Sequence, residues 1–181
     1  MAYSTIVNMG YVCIALSSDN IAGIQAALIY FLIYVVTTIG FFALLIAVLG
    51  DYCKHPKLSD LSGISKTKKS GAGAITVLMF SMIGIPPMAG FFGKFYIFRS
   101  AIMAGNYYLA ILGVLASAVS AFYYLRIIKI MYFDLPNNRA TRDVASRSLR
   151  IVIWLTILFT LLFIAYPNNL INYTNYIAKL F

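Results

Sequence analysis

Apolar residues along the chain fall into five long stretches that are separated by short polar segments. A helix that crosses a bilayer needs about 20 mainly apolar residues, so the second stretch is long enough and the first is short. The pattern predicts an all-α polytopic membrane protein of about five transmembrane helices. We expect residues 1–166 to form the helical bundle and residues 167–181 to form a C-terminal tail. The five stretches are 2–16, 23–49, 72–103, 108–132 and 149–166.

The third stretch contains signals that interrupt a helix. As one helix it would be about 48 Å long, whereas the hydrocarbon core of a bilayer is about 30 Å thick. Gly84, Pro86, Pro87 and Gly90 lie near its middle. Two consecutive prolines remove two backbone donors, so an unbroken helix cannot pass through them. The stretch is therefore either one discontinuous span or a hairpin of two re-entrant pieces.

The distribution of basic residues favours the single discontinuous span. If the third stretch crosses once, the two longer polar loops lie on the same side of the membrane, and the other side carries almost no basic residue. This asymmetry is the positive-inside pattern, and it would vanish if the stretch crossed twice. The basic residues are Lys54, Lys57, Lys66, Lys68 and Lys69 in the first loop, and Arg139, Arg142, Arg147 and Arg150 in or beside the second.

Composition supports the membrane class, since 62% of the residues are hydrophobic and only 10% are charged. The net charge of +9 is better explained by contacts with anionic lipid than by nucleic-acid binding. The chain has no glutamate, a single histidine (His55) and two cysteines (Cys13 and Cys53). That set is too small for a haem, zinc or iron–sulfur site, so we expect no metal and no cofactor to be bound by this chain.

Lys94 is the residue most suggestive of chemistry. Counted back from Met103, it lies about 14 Å from the membrane edge, near the middle of the bilayer. An ionisable residue there costs at least about 2.5–3.5 kcal/mol, so a functional role is the default hypothesis. A titratable amine beside hydrated, unwound backbone is typical of a proton relay. The alternative is a lysine that pairs with a carboxylate on another chain and holds subunits together.

Two further groups of residues have simpler interpretations. Tyr96, Tyr123 and Tyr124 could support a hydrophilic path near Lys94, although core packing is the more ordinary role for tyrosines in a span. Small residues recur at three-to-four spacing in the fourth stretch and predict close helix packing without catalytic content. They are Ala110, Gly113, Ser117, Ser120 and Ala121.

Residues 80–96, with the sequence FSMIGIPPMAGFFGKFY, resemble the discontinuous twelfth helix of the antiporter-like subunits of respiratory complex I. Within that group they are most similar to subunit 2, the bacterial subunit N, of NADH:quinone oxidoreductase. Further similarities occur at residues 8–11 (NMGY), 60–63 (DLSG) and 121–133 (AFYYLRIIKIMYF), in the order of the family.

The resemblance implies that the five spans correspond to helices 10–14 of a 14-helix subunit. Lys94 would then be the helix-12 lysine of a proton-translocating membrane-arm subunit. NADH, FMN, iron–sulfur clusters and ubiquinone would be used by other subunits of that complex. The expected partners are the other membrane-arm subunits, membrane lipids and a separate chain that carries the N-terminal half of the subunit.

Three functional hypotheses remain open from the sequence. The first is the complex I subunit that couples NADH:ubiquinone electron transfer to proton pumping. The second is a subunit of a cation/proton antiporter of the same family, and the third is a purely structural fragment of the membrane arm. A composition rich in Ile, Tyr, Phe, Lys and Asn favours the mitochondrial inner membrane, with the bacterial plasma membrane as the alternative.

Overall fold

The computed structural model describes residues 2–50, 57–136 and 146–163, together with Thr174, Ile177 and Ala178. Within these ranges the chain is helical and contains no strand. The helices are α1 (Ala2–Leu16), α2 (Ile21–Leu49), a 3₁₀ helix (Leu58–Leu61), α3 (Ile64–Thr67), α4 (Lys69–Ile83), α5 (Ala89–Met103), α6 (Tyr107–Phe133) and α7 (Arg147–Leu162).

The predicted all-helical class is confirmed, and the helix bounds lie close to the predicted apolar stretches. The helix α2 and the helix α6 are each long and apolar enough to cross a membrane. The helices α1 and α4 are apolar but shorter, with 15 residues each. Of the predicted tail, Thr174, Ile177 and Ala178 are described. The other tail residues and the predicted loop residues Cys53, Lys54, His55, Arg139 and Arg142 lie outside the described residues.

The third apolar stretch forms two separate helices, because α4 ends at Ile83 and α5 begins at Ala89. Gly84 terminates α4 in a left-handed conformation with φ +91°, which an L side chain rarely adopts. Its backbone N–H donates to the carbonyls of Phe80 and Ser81, as in the C-terminal caps of many helices. The N–H of Gly90 donates to Ser81 Oγ at 3.1 Å, which ties the start of α5 to the last turn of α4.

The two half-helices follow one another along the continuous helix α2. Near the start of α4, Gly71 faces Val48; near its end, Leu78 faces Gly40; and in α5, Gly93 faces Tyr30. The contact point on α2 thus moves steadily from its C-terminal end towards its N-terminal end. In a hairpin the contact point would reverse. The arrangement of the half-helices is that of one discontinuous element.

The basic loops lie at one end of the bundle. Lys66, Lys68 and Lys69 line the same cavity as Arg150 of α7, next to the C-terminal end of α2. At this end the N–H of Gly63 also donates to the carbonyl of Ile130 in the last turn of α6, at 3.1 Å. Basic residues from both loops are therefore on the same side, as the charge pattern predicts.

The core runs along the faces that α2, α4 and α6 turn towards one another. Its fully buried side chains include Phe41, Leu78, Met79, Tyr124 and Met131. The opposite face of α6 exposes large apolar side chains such as Val119 and Phe122. An exposed apolar face of this size is typical of a surface in contact with lipid or with another membrane protein.

Gly90→Ala tests the close approach of the two half-helices. A Cβ at this position would overlap the backbone of Ser81, so the helices must move apart. Overpacking of this kind costs about 1–3 kcal/mol, and we expect the melting temperature to fall by roughly 3–10 °C. The measurement is thermal denaturation of the detergent-solubilised protein.

Gly73→Ala is the matched control, because a Cβ at this helical position would meet nothing within 4 Å. In a helix interior, alanine is more favourable than glycine by about 0.5–1 kcal/mol, so the melting temperature should stay the same or rise. An equal change in melting temperature for Gly90→Ala and Gly73→Ala would contradict the close contact at Gly90.

Candidate functional site

Lys94 lies in the second turn of α5, directly after the break, and only 5% of its surface is exposed. Its Nζ donates to the backbone carbonyl of Ile83 at 2.9 Å and to Ser117 Oγ at 2.8 Å. The ring of Tyr11 lies beneath the amine, with 4.9 Å between Nζ and the ring centroid. The amine is thus held by α1, the end of α4, and α6.

The carbonyl that binds Lys94 is available because of the sequence that follows it. In a continuous helix the carbonyl of Ile83 would accept from the N–H four residues on, which is Pro87 and has none. The interruption therefore creates an unpaired acceptor beside the lysine. Gly84 provides the space, since a Cβ there would lie 3.1 Å from Lys94 Cδ.

The partners of Lys94 are neutral, and none of the described aspartates pairs with it. A neutral amine has two protons to donate, and the carbonyl of Ile83 and the hydroxyl of Ser117 accept both. An ammonium has a third proton, which can be directed to the face of the Tyr11 ring or into the adjoining cavity. The same geometry therefore accommodates the amine with or without an additional proton.

A cavity of about 610 Å³ adjoins Lys94 between α5 and α6. Lys94, Ser117 and Arg99 supply polar groups to a wall that is otherwise apolar and rich in phenylalanine. Several of the lining side chains, including Phe95 and Met103, are also exposed on the outside of the bundle. The lysine is therefore buried within this chain but can be approached from the surface between these two helices.

A second polar cluster connects α1, α2 and α6. Tyr30 donates its hydroxyl to Asn8 Oδ1 at 2.6 Å, and Asn8 Nδ2 donates to the carbonyl and the hydroxyl of Ser4 at 2.8 and 3.1 Å. The hydroxyl of Ser4 is hydrogen-bonded in turn to that of Tyr124. Ser4 and Asn8 share one face of α1 with Tyr11, at three-to-four spacing, so this cluster and the Lys94 site lie side by side.

The structure places the three predicted tyrosines differently. Tyr124 belongs to the polar cluster, and its ring contacts that of Tyr123 with 4.6 Å between centroids. The buried hydroxyl of Tyr123 has no hydrogen-bond partner among the described residues. Tyr96 lines a different cavity, with Gln25 and Ser100, and does not line the cavity beside Lys94.

Sequence reasoning missed the residues that hold the amine. The spacing of small residues places Ser117 in a packing stripe without catalytic content, yet its hydroxyl is a direct partner of Lys94. The apolar pattern assigns no chemical role to Tyr11, Ser4 or Asn8. The signal that could have found them is the spacing of Ser4, Asn8 and Tyr11 on one face of an apolar helix, since a buried polar face is expensive unless it is paired.

The described residues do not contain a group of three His, Cys, Asp or Glu side chains placed to hold a metal ion.

Comparisons with known proteins identify the family. Residues 1–120 match the family described as NADH:quinone oxidoreductase/Mrp antiporter, TM. The chain belongs to this family. The resemblance to subunit N is also confirmed by relatives with that name. The subunit N of Parvibaculum lavamentivorans is 44% identical over 171 residues, which are 94% of this chain and 35% of the relative.

The subunit N of Rickettsia prowazekii is 50% identical over 134 residues, which are 74% of this chain and 29% of the relative. The chain thus spans about a third of the length of the curated relatives it matches. Among solved structures, a chain of respiratory complex I from Thermus thermophilus has a TM-score of 0.80 and 30% identity, covering 94% of this chain and 38% of that one.

A chain of the Mrp complex from Dietzia sp. DQ12-45-1b has a TM-score of 0.85 and 19% identity, covering 98% of this chain and 41% of that one. At this identity the similarity shows the fold alone. The fold is therefore shared between the two branches named in the family description.

Ser117→Ala tests the partner of the lysine. The variant leaves the Lys94 amine without one of its two acceptors, and a hydrogen bond to a charged group contributes about 1.5–3 kcal/mol. We expect the melting temperature to fall by roughly 4–10 °C in thermal denaturation of the solubilised protein.

Ser120→Ala is the matched control, since the Ser120 hydroxyl donates to the carbonyl of Ser117 within the same helix and does not bind Lys94. Loss of such a local bond changes helix stability little, so we expect a much smaller decrease in the melting temperature than for Ser117→Ala. If both variants behaved alike, the bond between Ser117 and Lys94 would not be a specific contribution to stability.

Proposed function

We propose that this chain forms the C-terminal part of a proton-translocating membrane-arm subunit of respiratory complex I, in which Lys94 is a proton relay. The observation that carries the proposal is the Lys94 amine, buried beside a helix break and held by neutral acceptors. A relay group must be able to gain and lose a proton without disrupting its surroundings, and the partners of Lys94 accommodate both forms.

The proposal includes a topology of five membrane spans, formed by α1, α2, the pair α4 and α5, α6, and α7. The contacts along α2 support counting the pair as one span, since the two half-helices together run antiparallel to a single continuous helix. Irregular backbone in a membrane is tolerated where protein or a hydrated cavity covers it. Lys94 itself binds the free carbonyl at the break.

The relay requires a charged partner, and the described residues of this chain do not supply one to Lys94. The chain contains no glutamate, and the described aspartates do not pair with Lys94. We infer that the carboxylate facing Lys94 belongs to another part of the subunit, joined to this segment or made as a separate chain. The cavity beside Lys94 and the exposed apolar side chains around it offer a surface for that part.

In this proposal the electron transfer takes place elsewhere. NADH, FMN, iron–sulfur clusters and ubiquinone would be held by other subunits, and this chain would supply only proton transfer. The reported relatives are bacterial, which supports the bacterial plasma membrane as the location. The mitochondrial inner membrane stays a prediction from the composition.

Lys94→Gln tests the relay directly. The variant keeps a side chain that can hydrogen-bond to Ser117 but cannot carry a proton. We expect proton transport, measured as acidification driven by NADH in reconstituted vesicles, to fall by about tenfold or more. Assembly, measured by size-exclusion chromatography of the purified complex, should be unchanged.

Lys129→Gln is the matched control, because Lys129 is an exposed lysine of α6 outside the site. The complex with Lys129→Gln should transport protons at the same rate as the unmodified complex. A Lys94→Gln variant that assembles and transports protons normally would leave Lys94 with a structural role only.

Purification through a tag on this chain distinguishes the proposal from an antiporter. We expect flavin and iron–sulfur absorbance and NADH:quinone activity to elute together with the tagged chain. Mass spectrometry of the same sample identifies the polypeptide that carries the remaining part of the subunit. A stable assembly without flavin or clusters would instead favour a cation/proton antiporter.

A further inference from the structure

A second large cavity, of about 780 Å³, lies at the basic end of the bundle, away from Lys94. The last turns of α2, the segment that leads into α4, and the first turns of α7 form its walls. The proposed relay does not use this cavity, so its chemistry needs a separate explanation.

The lining carries four basic residues, Lys66, Lys68, Lys69 and Arg150, and no acidic residue among the positions described. Lys66, Lys69 and Arg150 are exposed, whereas Lys68 is partly buried and donates to the carbonyl of Val48 at 3.1 Å. Like charges around one cavity repel each other, and the N-terminal end of α4 adds partial positive charge. The charges of the described lining thus favour an anion.

The remaining wall of the cavity is apolar and leads along the bundle. Trp154 lies four residues after Arg150, so both side chains are on the same face of α7, one turn apart. The indole ring is 71% exposed, and Ile157 continues the same face into the bundle. Tryptophan at such a position is typical of the boundary between the headgroups and the hydrocarbon of a membrane.

We propose that this cavity binds an anionic phospholipid, with the phosphate at the basic residues and an acyl chain along Trp154 and Ile157. The basic residues attract the negative charge of the headgroup, and the apolar wall next to them can hold the acyl chain that follows the headgroup in a lipid. A free phosphate ion would leave the apolar wall without a role, and so would a nucleic acid. The site is independent of the proposed relay.

Photolabelling in lipid nanodiscs tests this site. The assembly is purified through a tag on this chain and reconstituted in phosphatidylcholine with a trace of phosphatidylglycerol that carries a diazirine in its acyl chain. We expect label on residues 151–157, at a yield about tenfold above that from the same diazirine on phosphatidylcholine. Equal labelling by the two lipids would overturn the proposal.

Charge-removing variants show whether the preference comes from this cavity. The combined variant Lys66→Gln, Lys69→Gln, Arg150→Gln should reduce labelling by phosphatidylglycerol to the level of phosphatidylcholine. The control variant Lys57→Gln, Arg126→Gln, Lys129→Gln removes three charges from the same end outside the cavity and should keep the preference. An equal decrease in both would assign the effect to diffuse surface charge and overturn the specific site.

Two further measurements keep the test decisive. If the triple variant does not assemble, Arg150→Gln alone is used, and about a fivefold decrease in labelling is expected from the loss of one charge.

Excess inorganic phosphate should compete poorly with the labelled lipid. Displacement by phosphate as effective as that by unlabelled phosphatidylglycerol would indicate a site for free phosphate and overturn the lipid assignment. Proton transport is not the readout, so failure here leaves the relay proposal unaffected.

Discussion

The hydrogen bond from Lys94 Nζ to the carbonyl of Ile83 is the contact on which the site depends. Pro87 leaves that carbonyl without its helical partner, and an unpaired buried acceptor costs about 1–3 kcal/mol. A buried amine with no partner would be equally unfavourable. The amine and the carbonyl each supply the hydrogen-bond partner that the other lacks. The helix break and Lys94 therefore form one structural unit.

The unit is stable because α2 provides a continuous support for both half-helices. Neither half, at 15 residues, is long enough to cross a bilayer alone. Gly71, Gly40 and Gly93 lie at the contacts with α2, where the absence of side chains permits close approach. The break can therefore interrupt the backbone hydrogen bonds locally without ending the path of the helix through the bundle.

The sequence predicted the features that depend on local physical rules. Apolar length predicted the helices, and the pair Pro86 and Pro87 predicted the interruption that lies between Ile83 and Ala89. The partners of Lys94 were not predictable in this way, because Tyr11 and Ser117 are distant from it in the chain. A serine in a stripe of small residues has the same local pattern whether it packs or binds, and only the neighbouring helix decides between the two roles.

Because the partners of Lys94 are neutral, a change in its protonation depends on charges outside this group. The carbonyl of Ile83, the hydroxyl of Ser117 and the ring of Tyr11 carry no charge that could change during turnover. Proton occupancy of Lys94 can therefore respond only to charges that approach from beyond this group. The adjoining cavity, with its exposed rim at Phe95 and Met103, is the direction from which such a charge can act. In the proposed relay, the group that changes the protonation of Lys94 would therefore belong to another part of the assembly.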